Sequence, residues 1–154
     1  MSGPGIDGVY RYRAAGDTLA TSGQPTVAQL GAIAGAGFTT IINLALHDDP
    51  RYSLPDEAGA VRALGLDYVH IPVPFAAPSQ AELRSFFDAM DAHRDRRVWV
   101  HCAANLRVSA FLGLYRVLRL GWPVKSAFAQ WYELWPQPDP VWAAFITSTL
   151  EPGR

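Results

Sequence analysis

The sequence has a single cysteine, almost no excess of charge and no long apolar run, and each of these shortages excludes a class of protein. One cysteine, Cys102, cannot form an internal disulfide, which favours a reducing compartment, so we expect a cytoplasmic protein. The apolar runs are far shorter than the roughly 20 residues of a membrane span, and Met1–Tyr10 lacks the features of a signal peptide. The net charge of −1 gives no general attraction to nucleic acid or acidic membranes, so neither is expected as a partner.

The composition is that of an ordinary globular protein. Apolar residues make up 49% and charged residues 18% of the 154 positions, far from the balance of a disordered chain. A chain of this length fits one domain with a hydrophobic core and leaves little room for a second. We therefore expect a single domain over residues 1–154.

Apolar patterning and turn residues predict an alternation of short strands and helices. The predicted strands are Val9–Arg13, Thr18–Ser22, Thr39–Leu44, Asp67–Val73 and Val98–His101. The predicted helices run from Thr26 to Gly35, Ser53 to Leu64, Ser79 to His93, Val108 to Leu120, Lys125 to Trp135 and Val141 to Leu150. Such an alternation predicts an α/β fold with a central, mainly parallel sheet flanked by helices. Right-handed crossovers would then bring the loops after Leu44, Val73 and His101 to one edge of the sheet.

Polar residues at fixed spacing mark the beginnings of the helices. Thr26 with Gln29, and Ser79 with Glu82, each form the pattern of a capping box, in which two side chains bond the free N–H groups of the first turn. Ser53 is predicted to cap the second helix in the same position. These signals fix where three of the helices should begin.

The segment Val98–Ser109 carries the clearest functional signal. A buried strand is followed by a short loop of small residues and then by an apolar helix. Such a turn directs backbone N–H groups and a helix N-terminus into one concavity, which suits a phosphate or another oxyanion. We expect the following residues to surround the anion: Ala103, Ala104, Asn105, Leu106, Arg107 and Val108. Cys102 opens this loop, where the same field stabilises a thiolate, and it is therefore the candidate nucleophile.

The residues around the loop complete a possible covalent mechanism. Arg107 has a planar guanidinium that can hold two phosphate oxygens. Ser109 lies in the first turn of the predicted helix and can donate a hydrogen bond to the thiolate. His101 is predicted to bond the backbone near the cysteine rather than to act as a base. In this hypothesis Cys102 attacks phosphorus, the loop holds the equatorial oxygens, and water later releases phosphate.

The order of these residues resembles a known signature. A histidine–cysteine pair at a strand end, an arginine a few residues later and a serine after it resemble the cysteine-based protein tyrosine and dual-specificity phosphatases. Three further segments resemble the small bacterial branch of that superfamily: Ser22–Thr26, Gly37–Leu44 and Val69–Val73. The resemblance covers about residues 8–120. It implies the cysteine-phosphatase fold, hydrolysis of a phosphorylated protein or small phosphomonoester through a phosphocysteine, and no metal or other cofactor.

The loop departs from the family signature in its spacing and at one glycine. Four residues separate Cys102 from Arg107, whereas the signature has five. Either one loop residue is missing, or the loop keeps its length and the arginine has moved one place earlier. We favour the second alignment because Ser109 then keeps its usual distance from the cysteine. One step on a helix is about 100°, so Arg107 would approach the anion from another side or fail to reach it. Asn105 replaces the usual glycine, and asparagine tolerates a positive φ.

A second departure concerns the general acid. The resemblance implies an aspartate in the loop after the Ile-Pro-Val strand, at the position of Ala76, but Phe75, Ala76 and Ala77 provide no carboxylate there. Loss of a positioned acid costs about 10²–10⁴-fold in rate. Asp48 and Asp49, in another loop at the same predicted sheet edge, are the candidate substitutes.

Two other functions stay open. Four residues between the cysteine and the arginine also fit a rhodanese-like sulfurtransferase, although the chain after Arg107 offers only helices where a rhodanese needs a further strand. The acid-free loop at Ala76 and the early arginine also fit a slow phosphatase, or a pseudophosphatase that binds phosphorylated ligands without turnover.

Overall fold

The computed structural model of the chain describes residues 5–46 and 53–151. The strands in these two ranges are β1 (Arg13–Gly16), β2 (Leu19–Ser22), β3 (Thr40–Asn43), β4 (Asp67–His70) and β5 (Val98–His101). The α-helices are α1 (Val27–Gly35), α2 (Glu57–Ala63), α3 (Gln80–Ala92), α4 (Leu106–Leu118), α5 (Val124–Ala127), α6 (Ala129–Leu134) and α7 (Pro140–Leu150). Strands and helices alternate from β2 to α4, as predicted.

The strands form one sheet in the order β1-β2-β5-β3-β4. β1 runs antiparallel to β2, and the other neighbours are parallel. His101 of β5 lies opposite Ser22 of β2 and Asn43 of β3, and Asn43 pairs with His70 of β4. The carboxyl ends of four strands therefore align at one edge of the sheet. The predicted α/β fold with a mainly parallel sheet is confirmed.

Helices cover both faces of this sheet. Trp99 of β5 and Ile41 of β3 pack with α1 and α2 in one buried cluster. Val100 and Ile42, the next residues on the same strands, pack with α3, α4 and α7 in another. β5 is thus buried on both faces, as the central strand of a parallel sheet is expected to be. Its carboxyl end is consequently held in a fixed position.

The capping signals in the sequence fix two helix starts correctly. Thr26 accepts the N–H of Gln29 at 3.1 Å, and Ser79 accepts the N–H of Glu82 at 3.4 Å, with both boxes complete. Within residues 5–46 and 53–151, none of the helices combines the length and the apolar character that crossing a lipid bilayer requires.

The predicted first strand, Val9–Arg13, is wrong, because β1 begins only at Arg13. Arg11 has a φ of 52°, which an extended strand does not allow. The N–H of Tyr12 donates to the carbonyl of Val9 at 3.0 Å and closes a turn there. The segment before β1 therefore bends across the sheet edge.

Two further boundaries also differ from the prediction. β4 ends at His70 rather than Val73 because its regular register with β3 stops there. The N–H groups of Ile71 and Val73 still donate to the carbonyls of Asn43 and Leu44, at 2.9 and 3.0 Å, but two residues on one segment now match one on the other. The cap of α2 is Asp56, whose carboxylate accepts an N–H of the first turn at 3.0 Å, rather than Ser53.

Two predicted helices are also corrected. The helix α4 begins at Leu106, two residues before the predicted Val108. The predicted helix Lys125–Trp135 is two short helices, α5 and α6, which meet at Phe128 with φ of −105° and ψ of 15°. The Phe128 ring packs so closely on α4 that a Cβ on Gly113 would lie 2.4 Å from it. This contact seats the two short helices beside α4.

Candidate active site

Cys102 follows β5 directly, at the centre of the aligned sheet edge. Its N–H donates to the carbonyl of Ser22 at 3.4 Å, which continues the pairing of β5 with β2 for one more residue. The side chain is 1% exposed and packs in the same buried cluster as Val100 and Val108. The thiol therefore lies at the base of the edge, immediately before the N-terminus of α4.

The loop after Cys102 is fastened to the chain that follows β2. The N–H of Gln24 donates to the carbonyl of Ala103 at 3.0 Å, and Gly23 pairs with Ala104 in an antiparallel bridge. A Cβ on Gly23 would lie 2.6 Å from the Ala103 carbonyl oxygen. Glycine is therefore required there for the two segments to approach, and the loop cannot move independently of β2.

Asn105 ends the loop in the left-handed conformation, with φ of 63° and ψ of 13°. Its side-chain Nδ2 donates to the carbonyl of Arg11 at 2.9 Å and to Oγ1 of Thr21 at 3.1 Å. The left-handed backbone that the sequence allowed for Asn105 is thus present. The amide adds two hydrogen bonds that a glycine at this position could not make.

Ser109 and Gln130 extend the polar network behind the loop. Nε2 of Gln130 donates to Oγ of Ser109 at 2.7 Å and to Oγ1 of Thr21 at 3.0 Å. The Ser109 hydroxyl donates to the carbonyl of Asn105 at 2.7 Å. In this structure the Ser109 proton is therefore used on the loop backbone, and the hydrogen bond from Ser109 to the Cys102 thiolate stays a prediction.

Arg107 lies under the loop that follows β4. Its Nη1 donates to the carbonyl of Val73 at 2.8 Å, and its guanidinium carbon lies 5.8 Å from the centre of the Phe75 ring. Nε and Nη2 make no hydrogen bond to any residue in the described ranges. Val108, at the place where the family signature has its arginine, is fully buried in the core. Two guanidinium nitrogens of Arg107, Nε and Nη2, thus have N–H groups available for an anion, while Nη1 holds the neighbouring loop.

The loop from Val73 to Ala77 is held by the closing helices. Nε1 of Trp142 donates to the carbonyl of Phe75 at 2.7 Å, and the Phe75 ring packs 5.6 Å from that of Trp135. Ala76 and Ala77 are exposed at the tip of this loop. The backbone at the tip of this loop is therefore held in place, and the two residues there carry no carboxylate. The substitutes Asp48 and Asp49 lie outside the described residues, so their role as acids stays a prediction.

A buried carboxylate that the sequence did not single out contacts His101, the residue before Cys102. Glu57 Oε2 lies 2.6 Å from Nε2 of His101, and both side chains are completely buried. Nδ1 of His101 lies 3.3 Å from the carbonyl oxygen of Cys102, the kind of backbone contact predicted for this histidine. Burial, followed by the Glu57 charge, raises the pKa of Tyr68 well above its ordinary value. In the sequence, Glu57 is only an acidic residue in the first turn of a predicted helix, and that pattern is too common to identify a functional site.

Gln130 and Arg11 were missed for a similar reason. Gln130 comes from α6 and bonds Ser109, 21 positions earlier, while Arg11 donates through Nη1 to the carbonyl of Ala104 at 3.3 Å, 93 positions later. No local pattern in the sequence marks either residue. Only the closure of the fold brings them to the loop.

The assembled site defines a class of protein. A cysteine at the end of a buried strand, a short loop that leads to a helix N-terminus and an arginine in the first turn of that helix, on a mainly parallel sheet, form the arrangement expected of a cysteine phosphatase. The family profile described as a DSP-PTPase phosphatase fused to NAD+ kinase matches residues 13–132. The chain therefore belongs to the protein tyrosine and dual-specificity phosphatase superfamily.

Individual proteins resemble this chain in sequence or in fold. A beta-lactamase hydrolase-like protein of Agrobacterium fabrum is 33% identical over 94 residues, which are 59% of this chain and 21% of that protein. The chain thus spans about a fifth of the length of this curated relative. A crystal structure of a candidate phosphatase of the DUF442 group from Shewanella putrefaciens CN-32 is 32% identical, with a TM-score of 0.83 over 94% of this chain and 93% of that one. Tk-PTP in its active form shares the fold, with 20% identity and a TM-score of 0.76 over 92% and 97% of the two chains.

Proposed function

We propose that this chain hydrolyses a phosphomonoester through a phosphocysteine intermediate on Cys102, as a phosphatase of the protein tyrosine and dual-specificity type. The observation that carries the proposal is the loop Cys102–Asn105 at the N-terminus of α4, which is fastened to Gly23 and has Arg107 in the first turn of the helix that follows. Converging backbone N–H groups and a helix N-terminus bind an oxyanion and stabilise a thiolate. The same elements therefore serve the nucleophile and the group that it attacks.

The proposed reaction has two steps that balance without a cofactor. In the first step, the Cys102 thiolate forms a bond to phosphorus while the bond from phosphorus to the leaving oxygen breaks, and that oxygen takes a proton from water or from the candidate acid, Asp48 or Asp49. In the second step, water attacks phosphorus, the sulfur–phosphorus bond breaks, and inorganic phosphate and the thiolate are released. Loop N–H groups and Arg107 would hold the equatorial oxygens in both steps. A reducing, cytoplasmic location would keep the thiol available.

The leaving group decides how fast this enzyme can work. With alanine at position 76, no carboxylate on the Val73–Ala77 loop protonates the leaving oxygen. A phenolate leaves more readily without a proton than an alkoxide does, so aryl phosphates should be the better substrates. We therefore propose a slow phosphatase for a phosphorylated protein or a small phosphomonoester, with Asp48 or Asp49 as the candidate acid.

A second candidate is a pseudophosphatase that binds phosphorylated ligands without turnover. The bond from Arg107 to the Val73 carbonyl favours it, because this bond occupies part of the guanidinium. The sulfurtransferase alternative has less support, because the described chain after Arg107 contains helices and no further strand.

One set of assays separates these functions. p-Nitrophenyl phosphate turnover is measured for the wild type and for Cys102→Ser, with sulfur transfer from thiosulfate to cyanide and vanadate binding measured in parallel. We expect phosphate release by the wild type and none by Cys102→Ser. Thiocyanate formation would instead indicate a sulfurtransferase. Vanadate binding without phosphate release would indicate the pseudophosphatase and would contradict the proposed enzyme.

A further inference from the structure

A continuous chain of buried groups links α2 to the nucleophile. Glu57 begins α2, and its Oε2 lies 2.6 Å from Nε2 of His101. His101 immediately precedes Cys102, and its Nδ1 lies 3.3 Å from the Cys102 carbonyl oxygen. Glu57 and His101 are both 0% exposed. A carboxylate and an imidazole shielded from water in this way must satisfy each other.

The neighbours of Glu57 determine which of its contacts are donors. Oδ1 of Asn43 accepts the N–H of Ala45 at 2.9 Å, so Nδ2 of the same amide donates to the Tyr68 hydroxyl at 3.1 Å. The Tyr68 oxygen is thus an acceptor for Asn43 and directs its own proton to Glu57. Gln24 donates through Nε2 to Oε1 of Glu57 at 2.6 Å. Several donors around one carboxylate favour its ionised form.

Both ring nitrogens of His101 face oxygen atoms that can accept a hydrogen bond. A carbonyl oxygen can only accept, so Nδ1, which faces the Cys102 carbonyl, must carry a proton. An ionised Glu57 carboxylate can also only accept, so Nε2 must carry a proton as well. A histidine that donates from both nitrogens is an imidazolium, and such a charge would balance the buried carboxylate 2.6 Å away.

We propose that Glu57 is a positioning residue that keeps His101 as an imidazolium and thereby stabilises the Cys102 thiolate. The inference rests on the proposed function, because it gives the pair a task in preparing the nucleophile. A positive charge one residue before the cysteine favours the thiolate over the thiol. The Nδ1–H bond to the Cys102 carbonyl also fixes the start of the anion loop.

Other titratable groups near Glu57 and His101 do not supply the positive charge that we assign to His101. Tyr68 of β4 faces Glu57, and burial, followed by the Glu57 charge, raises the pKa of its phenol, so Tyr68 remains a neutral donor. Arg62 of α2 also acts on the Tyr68 phenol, with the smallest of the effects on it. The His101 imidazolium is the cation that contacts both the Glu57 carboxylate and the cysteine backbone.

The test measures the thiolate itself, because Cys102 is the only cysteine of the chain. The ultraviolet absorbance of the thiolate is titrated with pH, using Cys102→Ser as the blank. Glu57→Gln should lower the ratio of thiolate to thiol about tenfold at a given pH, because His101 loses its second proton. The matched control is Glu133→Gln, the same change at an exposed carboxylate of α6 that pairs with Arg13, and it should leave the ratio unchanged.

The direction in which the thiolate ratio changes distinguishes an action of Glu57 through His101 from a direct effect of the Glu57 charge on the thiolate. Glu57 is itself negative, so its removal alone would raise the thiolate ratio, whereas loss of the imidazolium lowers it. In a His101→Asn background, Glu57→Gln should lower the ratio no further, because the residue through which it acts is gone. A ratio in Glu57→Gln that is unchanged or higher overturns the proposal, and so does an equal decrease in the His101→Asn background.

A second measurement needs no variant. Nuclear magnetic resonance of the His101 ring nitrogens in the wild type should show protons on both at neutral pH, and a neutral tautomer would overturn the proposal even if Glu57→Gln does not fold. Thiolate absorbance and ring protonation do not depend on turnover. A wild type that has the thiolate and the imidazolium but releases no phosphate would therefore contradict the proposed function alone.

Discussion

Asn105 and Arg11, the two non-glycine residues with a left-handed backbone in the described ranges, hold each other across the anion loop. Asn105 donates through Nδ2 to the carbonyl of Arg11 at 2.9 Å, and Arg11 donates through Nη1 to the carbonyl of Ala104 at 3.3 Å. Each bond holds a residue in the left-handed backbone conformation, which costs an L-amino acid about 1–2 kcal/mol. The loop is therefore shaped from outside, by a segment 94 positions away.

Substitution of Asn105 separates the hydrogen bonds from the backbone strain. Asn105→Gly should lower the free energy of unfolding by about 1–3 kcal/mol, because the buried Thr21 hydroxyl and the partly buried Arg11 carbonyl lose this donor. Asn105→Ala should cost about 1 kcal/mol more, since alanine does not favour a positive φ. Urea unfolding of the two variants measures both effects. Equal stabilities for the glycine and alanine variants would show that the conformation of Asn105 is not strained.

Arg107 is predicted to bind the anion as well as the Val73 carbonyl. Arg107→Lys keeps the charge but loses the planar fork, so kcat/KM for p-nitrophenyl phosphate should fall about 10–100-fold. Arg97→Lys is the matched control, because Arg97 lies over the Phe38 ring at the start of β5, at the opposite edge of the sheet. If Arg107→Lys has wild-type kcat/KM and vanadate affinity, the guanidinium serves only to hold the loop after β4.

Ala76 is the position at which a general acid can be restored. Ala76→Asp should raise kcat by up to about 10²-fold, most strongly for alkyl phosphates, because their leaving oxygen depends most on protonation. Ala76→Asn has nearly the same shape without the acid and should give no increase. The comparison is made with one aryl and one alkyl phosphate over a range of pH. A measurable phosphatase that gains nothing from Ala76→Asp would contradict our explanation of slow turnover.

Asp91 makes the contact between α3 and α4 dependent on pH. The Tyr115 hydroxyl donates to Asp91 Oδ1 at 2.8 Å, and this bond, helped by Arg94 and Arg119, lowers the pKa of the carboxyl below its ordinary value. A lowered pKa in the folded state gives stability that is present above the unfolded-state value, near pH 4, and is lost as the pH falls below it.

Asp91→Asn should therefore reduce the difference in Tm between about pH 7 and about pH 3, as measured by thermal unfolding followed by circular dichroism. Asp88→Asn changes an exposed carboxylate on the same helix and should keep the wild-type difference. If both variants show the same difference in Tm between the two pH values, the bond from Tyr115 to Asp91 does not contribute to the loss of stability at acid pH.

Local signals account for the parts of the fold that the sequence predicted well. The strand β5 has its predicted bounds, Val98–His101, because an apolar run between polar residues has few alternatives. Both capping boxes are correct because their partners lie three residues apart. The mainly parallel sheet, with the loops after Leu44, Val73 and His101 at one edge, also followed from the alternation of elements. The position of Cys102 at the sheet edge was a consequence of these features.

Contacts between distant segments could not be predicted in this way. Glu57 bonds His101 44 positions later, and nothing in the sequence near Glu57 distinguishes it from an ordinary helix acid. Arg11 breaks a pattern that otherwise favours a strand, because the conformation of Arg11 depends on Asn105. The direction of Arg107 depended on where the Val73 carbonyl lies in space, and spacing along the chain does not determine that.

The central claim is that Cys102 forms a covalent bond to phosphorus during turnover. The most direct measurement is mass spectrometry of the peptide that contains Cys102, after the enzyme is mixed with p-nitrophenyl phosphate and quenched with acid in the pre-steady state. The account predicts one phosphoryl group on Cys102, formed at the rate of the p-nitrophenolate burst and absent from Cys102→Ser. Phosphate release with an unmodified Cys102 at every quench time, and at the same rate in Cys102→Ser, would contradict it.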